Sequence, residues 1–336
     1  MNRRDDCVTA GIRWGILGTA GIAREALIPA IRSGGAGRVE AVASRDANKA
    51  RRFADDLGIP LSFGSYDELL YSGAVDAIYN PLPNILHAEW TVKALDAGLP
   101  VLCEKPLAMN AAEGRAIVDA ARRTGLPVAE AFMYRFHPVF DSVRAAIARG
   151  EIGRPSTLRS VFTFMQDDGA ATPASANLGG GSLRDVGCYC VGLSRLLAGT
   201  EPLTATAVER RDGVDFTMSG ILGFPGGLLA QFECSIENHE RHEAEISGTE
   251  GTICFPDPWF PGVQSARYLL RRGESEQTIA IPGADHYALE AIDFARAVAS
   301  GSAPRWPIQD AVANLAAMDA LFEAARSGRT VRVAPA

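Results

Sequence analysis

The first 134 residues alternate short apolar runs with helix-like stretches, and this alternation limits the fold more than any other feature. Arg13-Trp14-Gly15-Ile16-Leu17 meets a glycine-rich turn, Gly18-Thr19-Ala20-Gly21-Ile22-Ala23, and a helix-like stretch runs from Arg24 to Ser33. A second run, Val39 to Arg45, is followed by a short helix around Asp67-Glu68-Leu69-Leu70 and a strand at Val75 to Tyr79. That strand ends in Asn80-Pro81-Leu82-Pro83-Asn84, a loop stiffened by two prolines, before a helix from about Leu86 to Ala97. Val101-Leu102-Cys103 closes in Glu104-Lys105-Pro106, a helix covers about Asn110 to Thr124, and Pro127 to Met133 is a last strand. Strands joined by helices of this size predict a parallel sheet with helices on both faces. Ligands of such sheets sit beyond the carboxyl ends of the strands, where Gly18, Ser44, Asn80, Lys105 and Tyr134 all fall.

The turn after the first run is tight, and its amides, with the following helix N-terminus, would hold a diphosphate. Ala20 and Ala23 replace the usual second and third glycines of a dinucleotide fingerprint, with an extra glycine at Gly21. About 20 residues on, where an acidic residue would bind the ribose hydroxyls of NAD, stand Ser44 and Arg45, with Lys49 one helical turn further. A carboxylate there would repel a 2′-phosphate, whereas a hydroxyl and a guanidinium bind it, so NADP is expected rather than NAD. The plainer reading makes Arg45 a solvated residue at a helix start. Lys105 presents a similar choice. Burying an ammonium costs several kcal/mol, so a lysine just past a buried strand has a partner or a task. The proline behind it forces the chain out of the strand. An ordinary turn with a solvated Lys-Glu pair is the alternative, but the ligand edge is where chemistry is expected.

From about Gly153 the texture changes. Candidate strands are Thr157–Phe164, Thr204–Arg210, Thr217–Phe224, Leu228–Glu237, Glu243–Gly248, Gly251–Phe255, Arg267–Arg272 and Gln277–Ile281. Little helix separates them, and several alternate polar with apolar residues, which predicts a mostly antiparallel sheet with one solvated or partner-covered face. The expected domains are therefore 1–134 and 135–336, with late helices at about Ala288–Ser300 and Gln309–Ser327 able to pack on either. Within the second half, Gly179-Gly180-Gly181 frees the chain to turn sharply or pass close to a ligand. Ser182 to Leu197 reads as a helix capped by Ser182, and Asp185 and Tyr189, four apart, would share a face. Either they form a site or the tyrosine is buried and hydrogen-bonded to a carboxylate. Arg135 is a partner for Asp185 or for a ligand.

At 336 residues the chain suits two domains with their own cores. Its formal charge of −7 argues against nucleic-acid or anionic-membrane partners. No apolar stretch approaches the roughly 20 residues that span a bilayer. The start, MNRRDDCVTAGIR, lacks the apolar centre of a signal peptide and reads as a disordered lead-in. Six cysteines without CxxC spacing read as reduced thiols of a cytoplasmic protein, and no metal is expected.

In order and spacing, the glycine turn, Asn80 to His87, the Glu-Lys-Pro segment, Glu130 to Pro138 and the glycine-triplet helix resemble the Gfo/Idh/MocA family of NAD(P)-dependent sugar oxidoreductases. The likeness covers about Ile12 to Thr330, and the alanines in the turn point to the branch holding dihydrodiol dehydrogenases, xylose dehydrogenases, glucose-fructose oxidoreductase and deoxysugar 3-ketoreductases. It implies a Rossmann-type parallel-sheet domain and an α+β domain with a large, mostly antiparallel, open-faced sheet. It implies Lys105 and Tyr189 as the catalytic pair, with Asp185 and Arg135 binding substrate. Cofactor contacts would come from Gly18, Thr19, Ala20, Gly21, Ile22, Ser44, Arg45, Lys49, Asn80, Pro81, Leu82, His87, Glu104 and Lys105, although His87, like His137, reads as mainly structural. Many relatives carry histidine at the tyrosine position; a tyrosine hydroxyl beside an ammonium suits proton donation to a developing alkoxide. The expected activity is NADPH-dependent reduction of a keto group, C-3 of a dTDP-linked keto-deoxysugar. Oxidation of a free sugar or a trans-dihydrodiol is the alternative, and a non-catalytic NADP-binding regulator a remote one. A homo-oligomer through the second-domain sheet is implied as well.

Overall fold

The computed structural model describes residues 11–166 and 173–336. Of the lead-in expected over residues 1–13, residues 1–10, including Cys7, lie outside them, whereas Ile12 is buried and Arg13 opens the first strand. The chain divides into two compact units, Met1–Met133 with Asp285–Ala311, and Tyr134–Ala284 with Val312–Ala336.

In the first unit six strands, β1 (Arg13–Leu17), β2 (Arg38–Ala43), β3 (Leu61–Phe63), β4 (Ala77–Asn80), β5 (Val101–Glu104) and β6 (Val128–Ala131), form a parallel sheet ordered β3-β2-β1-β4-β5-β6. The order reverses at β1/β4, which opens a crevice beyond the strand ends. Strand β3 was not expected; Leu61 and Ser62 are exposed on this edge strand, so no apolar run marks it. Trp14, Ile16 and Leu17 of β1 are fully buried, each stabilising the core by about 1.5–3 kcal/mol or more. The Trp14 indole N–H donates to Ala36 O at 2.8 Å, and its ring centroid lies 5.6 Å from Phe294.

Phe294 belongs to the helix His286–Ser300, one of the two late helices expected to pack on either domain. Its Ala291, Ile292, Phe294 and Ala295 share one core with β1 and β2. Gly34, at the end of the helix Ile28–Gly34, lets Ala288 approach within 3.0 Å of the Cβ position that glycine lacks.

Among the described residues the second unit carries nine strands: β7 (Pro155–Met165), β8 (Thr204–Asp212), β9 (Val214–Gly223), β10 (Leu229–Ser235), β11 (Glu237–Gly248), β12 (Thr252–Phe255), β13 (Ser265–Arg272), β14 (Ser275–Pro282) and β15 (Val331–Arg332). They run β14-β13-β12-β11-β7-β10-β9-β8-β15, antiparallel except for β7/β10. The run read as one strand, Leu228–Glu237, is broken at Ile236, whose N–H and C=O pair with Phe216 and Gln166. β11 begins earlier than its apolar residues suggested, because its first half is polar. Met218 and Leu222 of β9 and Ala230, Phe232 and Cys234 of β10 face inward. Among the described residues no helix is long and apolar enough to cross a membrane, all five cysteines are free thiols, and no group of ligating side chains could hold a metal.

Candidate active site

At the end of β1, Gly18 takes φ +83° and its N–H donates to Ala43 O at 2.8 Å, closing the turn against β2. A side chain here would meet Leu82 Cδ2 at 3.0 Å and lie 4.0 Å from the Tyr66 hydroxyl. Thr19 and Ala20 are half-buried, and Gly21 and Ile22 are exposed. The helix expected from Arg24 starts instead as a π turn, Ala23–Leu27, before the α-helix Ile28–Gly34.

The loop after β4 is braced from beneath. Asn80 Nδ2 donates to His87 O and Thr91 Oγ1, while its Oδ1 accepts from the Leu82 N–H. The His87 ring is 1% exposed, with Nδ1 at 2.8 Å from Pro106 O and Nε2 at 2.6 Å from Leu82 O. Burial lowers its basicity, and the two carbonyls oppose that. Of these two residues expected beside the cofactor, His87 reads as mainly structural, and the side-chain polar atoms of both tie Leu82 to its own loop and to the turn that carries Lys105.

At the end of β2 Ser44 is nearly buried, its Oγ accepting from the Asp46 N–H, and Arg45 is exposed. Burial pushes the Tyr66 phenol up, and the Arg45 guanidinium at its hydroxyl pulls it back. Asp46 turns away to cap the helix Ala47–Leu57, accepting from the N–H groups of Asn48 and Lys49. The Lys49 side chain stays in solvent.

At the end of β5, Glu104 accepts from the Tyr79 hydroxyl at 2.6 Å and from the Lys105 N–H at 3.2 Å. Lys105 is half-buried and its bond to Pro106 is cis. Glu130 Oε1 accepts from the Leu107 N–H at 2.8 Å. A third acid, Glu290, comes from the late helix and is 2% exposed; burial, with Glu104 and Glu130 close by, pushes its carboxyl well above the usual range. The backbone N–H groups of Lys105 and Leu107 are thus received by two carboxylates, Glu104 and Glu130.

In the second unit the expected helix is likewise reached through a π turn, Leu183–Gly187, before Cys188–Ala198. Ser182 was read as the cap. It has helical dihedrals and caps nothing; its Oγ donates to Asp215 Oδ2 at 2.9 Å. Asp185 lies in the π turn, half-buried, and Tyr189 opens the α-helix at 6% exposure. The Tyr189 ring is surrounded by Tyr134, Phe162 and Trp259, with centroids 5.6, 5.3 and 5.7 Å away. Arg135 sits in a short 3-10 turn, Met133–Phe136, and is almost fully buried. His137 caps the helix Pro138–Ala148, its Nδ1 accepting from the Val139 N–H. Lys105 and the dinucleotide-edge residues thus belong to the first unit, and Arg135, Asp185 and Tyr189 to the second.

Two models of one family match the chain, an oxidoreductase domain with an NAD-binding Rossmann fold over residues 12–132 and its C-terminal domain over 140–254. The chain belongs to the Gfo/Idh/MocA oxidoreductase family. A D-xylose 1-dehydrogenase (NADP(+)) of Haloferax volcanii is 39% identical over 95% of this chain and 99% of its own. A dTDP-3,4-didehydro-2,6-dideoxy-α-D-glucose 3-reductase of Streptomyces violaceoruber is 35% identical over 89% and 88%. The crystal structure of a 3-ketoreductase from Actinomadura kijaniata, in complex with NADP and TDP-benzene, superposes with a TM-score of 0.89 at 30% identity, covering 94% and 98%.

As a Gfo/Idh/MocA member the protein is an oxidoreductase, and the first unit suits the family's dinucleotide. The Gly18 turn closes without a side chain, backbone at Gly21 and Ile22 is open, and a guanidinium stands at the end of β2. Tyr66, Tyr79, Glu290 and Asp215 are polar residues near the candidate residues that no motif in the sequence marks. Each lies inside an ordinary strand or helix pattern, and only its burial beside a polar partner marks it.

Proposed function

We propose that the protein is an NADPH-dependent sugar oxidoreductase in which Tyr189 and Lys105 act on one carbonyl oxygen of the substrate. The reading rests above all on a tyrosine held by aromatic rings at the head of the glycine-triplet helix, in a chain with the family's Glu-Lys-Pro turn. Bound NADPH supplies hydride to the carbonyl carbon. The Tyr189 hydroxyl gives its proton to the oxygen, and the Lys105 ammonium hydrogen-bonds that oxygen and makes the phenolate less costly. Asp185 orients a neighbouring hydroxyl, and Arg135 supports the substrate side. Ser44, Arg45 and Lys49 receive the 2′-phosphate, a role supported by the exposed guanidinium and by Asp46 turning its carboxylate into the helix.

The substrate we favour is a nucleotide-linked keto-deoxysugar reduced at C-3, supported by the structural likeness to a 3-ketoreductase. Free-sugar oxidation is the second reading, supported by the 39% identical D-xylose dehydrogenase. A homo-oligomer through the outer face of the second-unit sheet completes the proposal. Val208 and Ile221 lie exposed there in a depression of about 490 Å³.

NADPH absorbance followed with dTDP-keto sugars and with free aldoses separates the substrates. Brisk xylose oxidation without turnover of any nucleotide sugar removes the first. Lys105→Ala and Tyr189→Phe are expected to lower kcat about 10²–10⁴-fold with NADPH binding retained by Tyr189→Phe. A Tyr189→Phe enzyme with full activity removes the tyrosine role, and a monomer by light scattering removes the oligomer.

A further inference from the structure

The glycine triplet looks like a ligand-binding turn, yet its third glycine is filled from within. Asp215, at the start of β9, is 1% exposed. Its Oδ2 accepts from the Ser182 hydroxyl at 2.9 Å and from the Leu183 backbone N–H at 2.7 Å, across 33 and 32 residues of sequence. Its Oδ1 lies against Gly181, whose φ is +118°; a Cβ there would stand 2.1 Å from that oxygen and 3.0 Å from the carboxyl carbon. The nearest cation to Oδ1 is Arg211 Nη2, at 4.0 Å.

A buried carboxylate is costly unless its oxygens are hydrogen-bonded; here Oδ2 takes two bonds and Oδ1 takes none among the described residues. What it holds is the head of a helix. The π turn Leu183–Gly187 has no side-chain cap of its own, and its first N–H is received by Asp215 instead. Three consecutive residues, Gly181, Ser182 and Leu183, are thus fixed to the sheet immediately before Asp185 and Tyr189. Cys234 of β10 adds a weak S–H contact to the Ser182 oxygen at 3.5 Å.

We propose that Asp215 is a positioning residue: it caps the π turn from the sheet and so sets where Asp185 and Tyr189 stand. The proposal rests on the reading of Tyr189 as proton donor. Gly181 is, on this account, a glycine for its φ of +118° and for the carboxylate packed against it, and not for a ligand.

The test compares Asp215→Ala, Asp215→Asn and Gly181→Ala in the full-length protein. Misplacing a reacting group by about 1 Å costs on the order of 10²-fold in rate. Asp215→Ala is therefore expected to lower kcat about 10²-fold and to move the pH profile of kcat, with NADPH affinity in the first unit unchanged. Asp215→Asn, whose amide oxygen still accepts both bonds, should recover most of the rate. Gly181→Ala should also lower kcat, because a side chain there meets the Asp215 carboxylate and is strained at φ +118°. In a Tyr189→Phe background Asp215→Ala should cost less than in the unmodified protein, because only the part of the loss that acts through Asp185 is left. A fall in Tm with kcat and its pH profile unchanged overturns the positioning role. So does Asp215→Asn being as slow as Asp215→Ala while folded. Should Asp215→Ala fail to fold, Ser182→Ala, which removes one of the two bonds, is expected to give a several-fold loss of kcat, and no loss counts against the proposal. If Tyr189→Phe itself is fully active, the tyrosine reading fails, and the Asp215 result is then read from the pH profile alone.

Discussion

Both units begin a helix in the same way, through glycines and a single π turn, and put the two turns to opposite uses. At Gly18 to Leu27 the turn is open: Gly21 and Ile22 are exposed and the backbone faces solvent. At Gly179 to Gly187 the turn is closed, with Gly181, Ser182 and Leu183 packed around a carboxylate from β9. Glycine gives the chain room in both cases, but the surrounding fold decides whether a ligand or a side chain takes that room. A glycine-rich turn is therefore evidence of close approach, and not by itself evidence of a binding site.

If the first turn is the open one, changes there should act on cofactor affinity. Gly18→Val has the largest expected effect. A β-branched residue at φ +83° is strained, and its Cβ would push against Leu82, so NADPH affinity should fall about 10²-fold by fluorescence titration. An unchanged affinity would break the comparison. Next in size is Arg45→Ala. It should weaken NADPH about tenfold and leave NADH untouched, as expected for one charge-assisted hydrogen bond at an exposed site. Equal losses for both cofactors would remove the 2′-phosphate role.

The smallest effect concerns the other buried acid. Glu290 has its carboxyl raised well above the ordinary glutamate value, first by burial and then by Glu104. A raised folded-state pKa means the folded form holds the proton longer than the unfolded one, so stability from this group is full in acid. It is lost as pH rises from the ordinary value through the raised one. Glu290→Gln cannot ionise, and should flatten that part of the Tm-against-pH curve by a few degrees. A curve parallel to that of the unmodified protein would show that Glu290 does not carry the dependence.

Much of the first unit was legible because its signals are local. Five of its six strands are short apolar runs bounded by turn residues, and β3 escaped because an exposed edge strand has nothing apolar to show. The helix His286–Ser300 was legible as a helix, but its allegiance was not. Which core Phe294 enters depends on Trp14, some 280 residues away in the chain. The site residues divided in the same way. Lys105, Arg45, Asp185 and Tyr189 stand in motifs, whereas Asp215 and Glu290 stand in unremarkable alternating segments and gain their character only from burial.

The sequence by itself determined the parallel unit with helices on both faces, the sheet-rich second unit, and the residue types on the ligand edge. Those depend on periodicity, turn chemistry and charge within a few residues. Only the tertiary structure decided that Asn80 and His87 brace a loop, that Ser182 donates to Asp215 instead of capping its helix, and that one glycine turn stays open while the other is filled. Each of these is a pairing of polar groups brought together by packing, and the energy that enforces it, the cost of leaving a buried donor or acceptor unmade, exists only once the chain has folded.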